Sequence, residues 1–144
     1  LVQGMMHPEA GHMLITRVPE DDMESNCRYH EHCLEGLAAG PALEKRLGCK
    51  AYEVSPKHPV WKMEADYISQ ALVNLILTLS PQRIILGGGV MKQEQLYPMI
   101  RERTRDLLGG YVQTDELQNL ESYITAPSLG DNQGVMGALR LTLQ

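Results

Sequence analysis

The sequence lacks the features that mark membrane proteins and nucleic-acid-binding proteins. None of its apolar runs approaches the roughly 18 residues that a membrane helix needs. Its 13 basic residues are outnumbered by 18 acidic ones, which gives a net charge of −5, whereas binding to a phosphate backbone depends on clustered Lys and Arg. The first ten residues show no secretory leader. We therefore expect a cytoplasmic chain that binds neither nucleic acid nor membrane.

The sequence also lacks internal repeats and low-complexity tracts. Its composition, with 43% hydrophobic and 22% charged residues, is ordinary for a globular protein. A length of 144 residues suits one domain or half of a two-lobed protein. The first residue is Leu1 rather than Met, which favours a piece of a longer polypeptide.

The hydrophobic pattern alternates between β-type and helical segments. Apolar runs bounded by turn residues predict strands, and apolar residues at helical spacing predict helices. We expect strands at 12–18, 83–86 and 121–126, and helices at 34–47 (broken at Gly40–Pro41), 61–79, 92–108 and about 131–143. This alternation predicts a layered α/β fold.

Three potential metal ligands are spaced as Cys27-x-x-His30-x-x-Cys33, and His12 lies upstream of them. Zn²⁺ takes four tetrahedral N or S ligands, and two-residue gaps let a tight turn aim successive side chains at one point. We call residues 19–35 the Cys–His loop and predict that it binds zinc through His12, Cys27, His30 and Cys33.

The alternative is a disulfide between Cys27 and Cys33 beside surface histidines. An odd cysteine count and the lack of an export signal disfavour it. The third cysteine, Cys49, is expected to be a small buried side chain. His32 adjoins Cys33, which makes it awkward for both to bind the same metal. We therefore expect His32 in solvent or in contact with a ligand residue instead of the metal.

Three glycines, 87–89, follow the apolar strand RIIL and precede a predicted helix. Glycine permits a positive φ and lets a ligand approach the backbone closely. Ligands of open α/β sheets bind beyond the carboxyl ends of strands. We call residues 87–89 the glycine turn; it either approaches a ligand or is a tight turn that binds nothing.

Two carboxylates lie near the predicted ligands, Glu9 before His12 and Glu35 after Cys33. An ionised carboxylate only accepts hydrogen bonds, which suits it to sugar hydroxyls. If a metal draws the loop inwards, both carboxylates could lie at one pocket rim; otherwise each is a solvated surface acid.

Four stretches together resemble the ROK family of sugar kinases and repressors, in particular its bacterial fructokinases. They are HPEAGH (7–12), CRYHEHCLEGLAAGPAL (27–43), PQRIILGGGVMKQEQLYP (81–98) and GDNQGVMGAL (130–139). Many family members carry a C-x-C-G-x-x-G-C loop instead, so the loop here resembles the fructokinase form.

The resemblance implies an actin-like ATPase fold of the ribonuclease H-like class, with residues 1–144 as its carboxyl-terminal lobe. It implies a hexose and ATP as substrates, Mg²⁺ with ATP, and a structural zinc beside the sugar. The Cys–His loop would lie beside the bound sugar, and a βα unit at 83–108 would lie beside the bound nucleotide. The implied sugar contacts are Glu9, His12 and Glu35, and the implied nucleotide contacts are Gly40, Pro41, Gly87, Gly88, Gly89, Val90 and Met91.

Our leading hypothesis is the carboxyl-terminal half of a fructokinase, which converts fructose to fructose 6-phosphate. By the resemblance, the catalytic Asp and the phosphate-binding segments belong to a missing amino-terminal half. This chain alone is then inactive, and we expect it to associate with that half and to form a homodimer. The alternatives are the sugar-sensing domain of a ROK-type repressor and, third, a free-standing zinc-stabilised scaffold. The missing sequence would distinguish them.

Overall fold

A long central helix organises the structure, a computed structural model that describes residues 4–142. The helices are α1 (Leu34–Ala38), α2 (Gly40–Leu47), α3 (Val60–Leu79), α4 (Leu96–Leu108), α5 (Asp115–Gln118), α6 (Leu120–Tyr123) and α7 (Gln133–Leu141); the strands are β1 (Ile84–Ile85) and β2 (Ile124–Thr125). Single 3₁₀ turns cover Ala10–His12, Ala51–Glu53, Val90–Lys92 and Gly130–Asn132. No helix in this described part is long and apolar enough to cross a membrane.

Helix α3 carries two buried faces. Its predicted apolar stripe is largely confirmed, because Trp61, Leu72 and Ile76 are buried in the larger core cluster together with side chains of α2, α4, α6 and β2. On another face of α3, Tyr67 is buried in a smaller cluster with Ile15 and α1. Ser69 of α3 also donates a hydrogen bond to a backbone carbonyl of α4. The helix therefore joins two cores, as a helix that is apolar on more than one side must.

The two strands pair in parallel, with Ile84 opposite Ile124 and Ile85 opposite Thr125. The predicted strand at 83–86 is confirmed at its two central residues, and α4 follows it as expected of a βα unit. Because the strands are parallel, their carboxyl ends lie at one edge, where the glycine turn follows β1.

The predicted strand at 12–18 is wrong for the described structure. This segment has one antiparallel bridge, between Leu14 and Cys33, and no strand. The side-chain amide of Gln70 on α3 accepts from Thr16 N–H and donates to Thr16 C=O, at 2.7 and 2.9 Å. A helix side chain therefore takes hydrogen bonds that a neighbouring strand would otherwise make.

The predicted strand at 121–126 is half wrong, because helix α6 occupies its first three positions. Asn119 caps this helix, accepting from Ser122 N–H, and the buried Tyr123 donates to the carbonyl of Pro81 at 2.9 Å. Local capping outweighs the β-propensity until Ile124.

The expected break at Gly40–Pro41 is confirmed within one residue, since α1 and α2 are separated at Ala39 and Pro41 lies in the first turn of α2. The last helix begins at Gln133, slightly later than predicted. Its predicted end at Leu143 lies outside the described residues.

Glu64 is fully buried on α3, and neither of its carboxylate oxygens has a hydrogen-bond partner among residues 4–142. Burial raises the pKa of this carboxyl to about 8; the positive charge of Arg46 opposes the rise and the negative charge of Asp21 adds to it. Glu64 is therefore protonated at neutral pH in the folded state, because an ionised carboxylate is strongly disfavoured there.

This protonation predicts a pH-dependent stability. Between about pH 4.5 and pH 8, unfolding releases the proton of Glu64, so stability falls as pH rises through that window. Glu64→Gln keeps the shape and stays neutral. We expect its melting temperature to match the parent near pH 5 and to exceed it by roughly 5 °C or more near pH 8.5.

The matched control is Glu102→Gln on the exposed side of α4. Thermal denaturation of all three proteins at both pH values checks the prediction. A constant offset between Glu64→Gln and the parent across the pH range would contradict it.

Candidate functional site

The structure brings His12, Cys27, His30 and Cys33 together, with one N or S ligand atom of each lying within 4.8 Å of all the others. His12 Nδ1 lies 3.8 Å from Cys27 Sγ and 3.9 Å from Cys33 Sγ. His30 Nδ1 lies 3.7 Å from Cys27 Sγ. We call these four residues the Cys–His cluster.

Short local structures aim each of these side chains. His12 ends the first 3₁₀ turn, where its N–H donates to the carbonyl of Glu9 at 2.9 Å. Cys33 is fully buried at the amino-terminal cap of α1, and its sulfur accepts from Gly36 N–H at 3.3 Å. Ser25 Oγ donates to His30 C=O at 2.7 Å, which closes the turn that carries Cys27 and His30.

The two thiols differ in their electrostatic surroundings. Tyr29 N–H donates to Cys27 Sγ, and this hydrogen bond is the main reason that the pKa of the Cys27 thiol is lowered. Burial raises the pKa of the Cys33 thiol, although Gly36 N–H acts against the rise.

The cluster has the dimensions of a tetrahedral zinc site. Bonds of about 2.3 Å to sulfur and 2.0–2.1 Å to nitrogen place neighbouring ligand atoms about 3.3–3.8 Å apart in a tetrahedron. The three N–S separations of 3.7, 3.8 and 3.9 Å need little contraction to reach that range. Four protein ligands leave no open position, so the chemistry of such a site is structural.

The other predicted neighbours lie outside the cluster. His32 Nδ1 accepts from Arg17 Nε at 3.4 Å instead of facing the thiols. Cys49 is exposed, so the expectation of a buried side chain is wrong; it follows Gly48 at the exposed end of α2. All three cysteines of the described chain are free thiols.

The carboxylate of Glu35 lies against the segment that carries His12. A side-chain carbon placed on Gly11 would be 3.2 Å from Glu35 Oε2. Its negative charge opposes the lowering of the Cys27 pKa and adds to the rise of the Cys33 pKa, so Glu35 lies beside the cluster. Glu9 is exposed two residues before Gly11, so both acids are accessible near His12.

A second candidate region lies at the carboxyl edge of the two strands. A pocket of about 340 Å³ is lined by Gly87, Gly88, Met91, Lys92, Glu94, Tyr97, Ala126, Pro127, Gly130 and Gln133. Within the glycine turn, Gly88 has φ +97°, a conformation that a side chain would strain. Tyr97 fixes the start of the turn by donating to Leu86 C=O at 2.8 Å. We call this cavity the glycine-turn pocket.

The remaining predicted nucleotide contacts lie near this pocket. A side-chain carbon on Gly40 would lie 4.0 Å from Val90 Cγ2, so the start of α2, with Pro41, faces the residue after the glycine turn. Met91 is buried, with 8% exposure, and belongs to the larger core as well as to the pocket wall. Gly89 has an ordinary helical φ of −62°.

A larger cleft, of about 680 Å³, lies between residues 16–20, α3 and α4. None of the site residues predicted from the sequence lines it. Sequence reasoning also missed Arg17, Asp21, Arg46 and Tyr67, which hold the Cys–His loop. Arg46 and Tyr67 lie far along the sequence from Arg17 and Asp21, and no motif marks the four as a group.

Comparisons with known proteins agree on one family. The model of the ROK family matches residues 1–144. The chain is 49% identical over 141 residues to the fructokinase of Pediococcus pentosaceus, covering 98% of this chain and 48% of that protein. It is 37% identical over 144 residues to the fructokinase of Streptococcus mutans, covering 97% and 48%. The chain thus spans about half the length of the curated relatives it matches.

A solved structure supports the same relationship. The ROK hexokinase from Thermus thermophilus superposes with a TM-score of 0.65 at 26% identity, covering 94% of this chain and 49% of that one. This likeness confirms the expected actin-like ATPase fold.

The geometry of the Cys–His cluster predicts that Gly36 cannot carry a side chain. A methyl group there would overlap Ser25 Oγ and lie 2.9 Å from Cys27 Cβ. Overpacking of this kind costs about 1–3 kcal/mol. We expect Gly36→Ala to lower the melting temperature, although alanine normally stabilises a helix relative to glycine.

The matched control is Gly134→Ala in α7, where nothing lies within 4 Å of the added carbon. It should leave the melting temperature unchanged or raise it. Thermal denaturation of both variants is the measurement, and equal stability of Gly36→Ala and Gly134→Ala would show that the loop yields freely.

Proposed function

Because this chain belongs to the ROK family, we propose that it is the carboxyl-terminal half of an ATP-dependent fructokinase, which converts fructose to fructose 6-phosphate. The observation that carries the proposal is 49% identity to a fructokinase over 98% of the chain. The likeness to a ROK hexokinase structure supports a hexose as the substrate class.

In this proposal, His12, Cys27, His30 and Cys33 hold one structural Zn²⁺. The support is their mutual approach within 4.8 Å and a donor set of two imidazoles and two thiols, which suits zinc. Bound zinc supplies a cross-link between the first 3₁₀ turn, the Cys–His loop and the start of α1.

We assign Glu9, His12 and Glu35 to the sugar. Glu35 lies beside the segment that carries Glu9 and His12, and both carboxylates are exposed. Hydrogen bonds from sugar hydroxyls to ionised carboxylates are stronger than those to neutral acceptors. A sugar bound here would lie next to the cross-link that fixes its contacts.

The glycine-turn pocket is assigned to the nucleotide, which binds with Mg²⁺. The carboxyl ends of parallel strands are where ligands bind in open α/β sheets. The open space beside Gly88 and Gly89 lets a ligand lie directly on the backbone. Gly40, Pro41, Gly87, Val90 and Met91 complete the proposed nucleotide side.

Phosphoryl transfer depends on positioned phosphates and a residue that orients the attacking hydroxyl. By the family resemblance, we place the Asp that accepts the proton of the sugar hydroxyl, and the phosphate-binding segments, in the other half of the protein. This chain alone is then inactive.

The exposed face of α7 supports association with that other half. None of its described residues is buried, and Val135, Met136, Leu139 and Leu141 are between 47% and 63% exposed. Apolar side chains grouped on one helix commonly mark an interaction surface. Contact with the missing half accounts for this face, and a homodimer can form elsewhere on the complete protein.

The zinc assignment predicts about one zinc per chain in protein purified without chelator. Structural zinc contributes on the order of 10–16 kcal/mol of apparent binding free energy in small peptides. Cys33→Ser should therefore lose most of the metal and lower the melting temperature. Elemental analysis and thermal denaturation are the measurements.

The control is Cys49→Ser, an exposed thiol outside the cluster, which should keep both properties. A parent protein with far less than one zinc per chain would contradict the assignment.

The substrate assignments predict that two variants of the complete protein impair different substrates, one of them fructose and the other ATP. Glu35→Gln loses a charge-assisted hydrogen bond, so kcat/KM for fructose should fall by about one to two decades. Gly88→Val obstructs the pocket and strains a φ of +97°, so the KM for ATP should rise far more than that for fructose.

Each variant has a control in the chain. Glu24→Gln neutralises an exposed acid of the same loop. Gly110→Val introduces similar strain, at φ +72°, outside the glycine-turn pocket. Steady-state kinetics with both substrates measures whether each variant affects only its own substrate. Equal effects of Gly88→Val on both KM values, or effects matched by the controls, would count against the assignments.

A further inference from the structure

The Cys–His loop has two arms, residues 21–23 and residues 31–32, and Arg17 contacts both of them. On the first arm, its Nη1 donates to Met23 C=O at 2.6 Å and to Asp21 C=O at 3.3 Å. On the second arm, its Nη2 donates to Glu31 C=O at 2.8 Å and its Nε to His32 Nδ1 at 3.4 Å. All three guanidinium nitrogens are thus used within one loop.

These contacts enclose the residues that carry two of the four cluster side chains. Cys27 and His30 lie between the arms, so the distance between the arms helps to set where their sulfur and nitrogen point. The backbone of the second arm is also held directly, because Ile15 N–H donates to His32 C=O at 2.8 Å. The first arm is held by a local contact, because Asp21 N–H donates to Val18 C=O at 2.9 Å.

Asp21 fastens the first arm to the body of the protein. Its carboxylate is 2% exposed and accepts two hydrogen bonds from Arg46 of α2, at 2.8 and 3.2 Å, and one from Tyr67 of α3, at 2.6 Å. Arg17 Nη1 lies 3.7 Å from the same carboxylate. Arg17 therefore connects the anchored residue Asp21 to the second arm, which lies between His30 and Cys33 in the sequence.

A planar guanidinium is needed for this arrangement. Its donors form a fixed fork that reaches several acceptors in different directions, whereas an ammonium group is a single point of charge on a flexible stem. Lysine at this position could satisfy one arm but could not hold both.

We infer that Arg17 is a positioning residue for the metal centre, which sets the spacing of the loop arms and so pre-organises Cys27 and His30 before zinc binds. This inference rests on the proposed zinc site. Residues that support metal ligands from behind typically change metal affinity by 10–100-fold when removed.

The test measures zinc affinity of the complete protein by competition with a chromophoric chelator, at a temperature where every variant is folded by circular dichroism. Arg17→Gln should weaken zinc binding roughly tenfold or more, and Arg17→Lys should lie between it and the parent. Arg103→Gln is the control, since its guanidinium pairs with Asp66 of α3 and not with either arm of the loop.

Measuring folded protein separates positioning from general stability. A loss of stability alone changes the apparent affinity only through the folded fraction, which is close to one under these conditions. Wild-type affinity in Arg17→Gln, or an equal loss in Arg103→Gln, would overturn the inference while leaving the zinc site intact. If Arg17→Gln does not fold, Arg17→Lys decides, and parent-like affinity in it overturns the inference. No zinc binding by the parent would overturn both proposals.

Discussion

A carboxylate taken out of water must be matched by positive charge and hydrogen bonds, and Asp21 imposes this requirement on the structure around it. Burial acts to raise the pKa of Asp21, but the hydrogen bonds from Arg46 and Tyr67 outweigh it and hold that pKa below its usual range. One side chain thereby joins the Cys–His loop, α2 and α3. Glu64, buried nearby without hydrogen-bond partners among the described residues, shows the alternative outcome, in which the carboxyl keeps its proton.

Helix α2 relates the two candidate regions to each other. Gly40 at its start faces Val90 beside the glycine-turn pocket, and Arg46 near its end binds Asp21 near the start of the Cys–His loop. Eight residues of helix span only about 12 Å. The proposed sugar and nucleotide sides are therefore linked by one short, rigid element with both ends fixed.

The sequence predicted those parts that depend on local patterns. The apolar stripe of α3 and the spacing of Cys27, His30 and Cys33 are local, and the structure has the helix and the convergence of these side chains. The predicted strand at 12–18 failed because Gln70, more than fifty positions away, takes the hydrogen bonds of Thr16. Arg17 and Asp21 resemble ordinary surface charges in a loop of acids; only the fold shows their partners on distant helices.

The two buried faces of α3 bear on how the molecule comes apart. Trp61 belongs to the larger core and Tyr67 to the smaller one, yet they are less than two turns apart on one helix. Both clusters pack on the same helix, so the loss of either removes packing that stabilises the helix on which the other depends. Their melting is coupled, so the Cys–His loop and the glycine turn, at opposite ends of α2, share the cooperativity of a single folding unit.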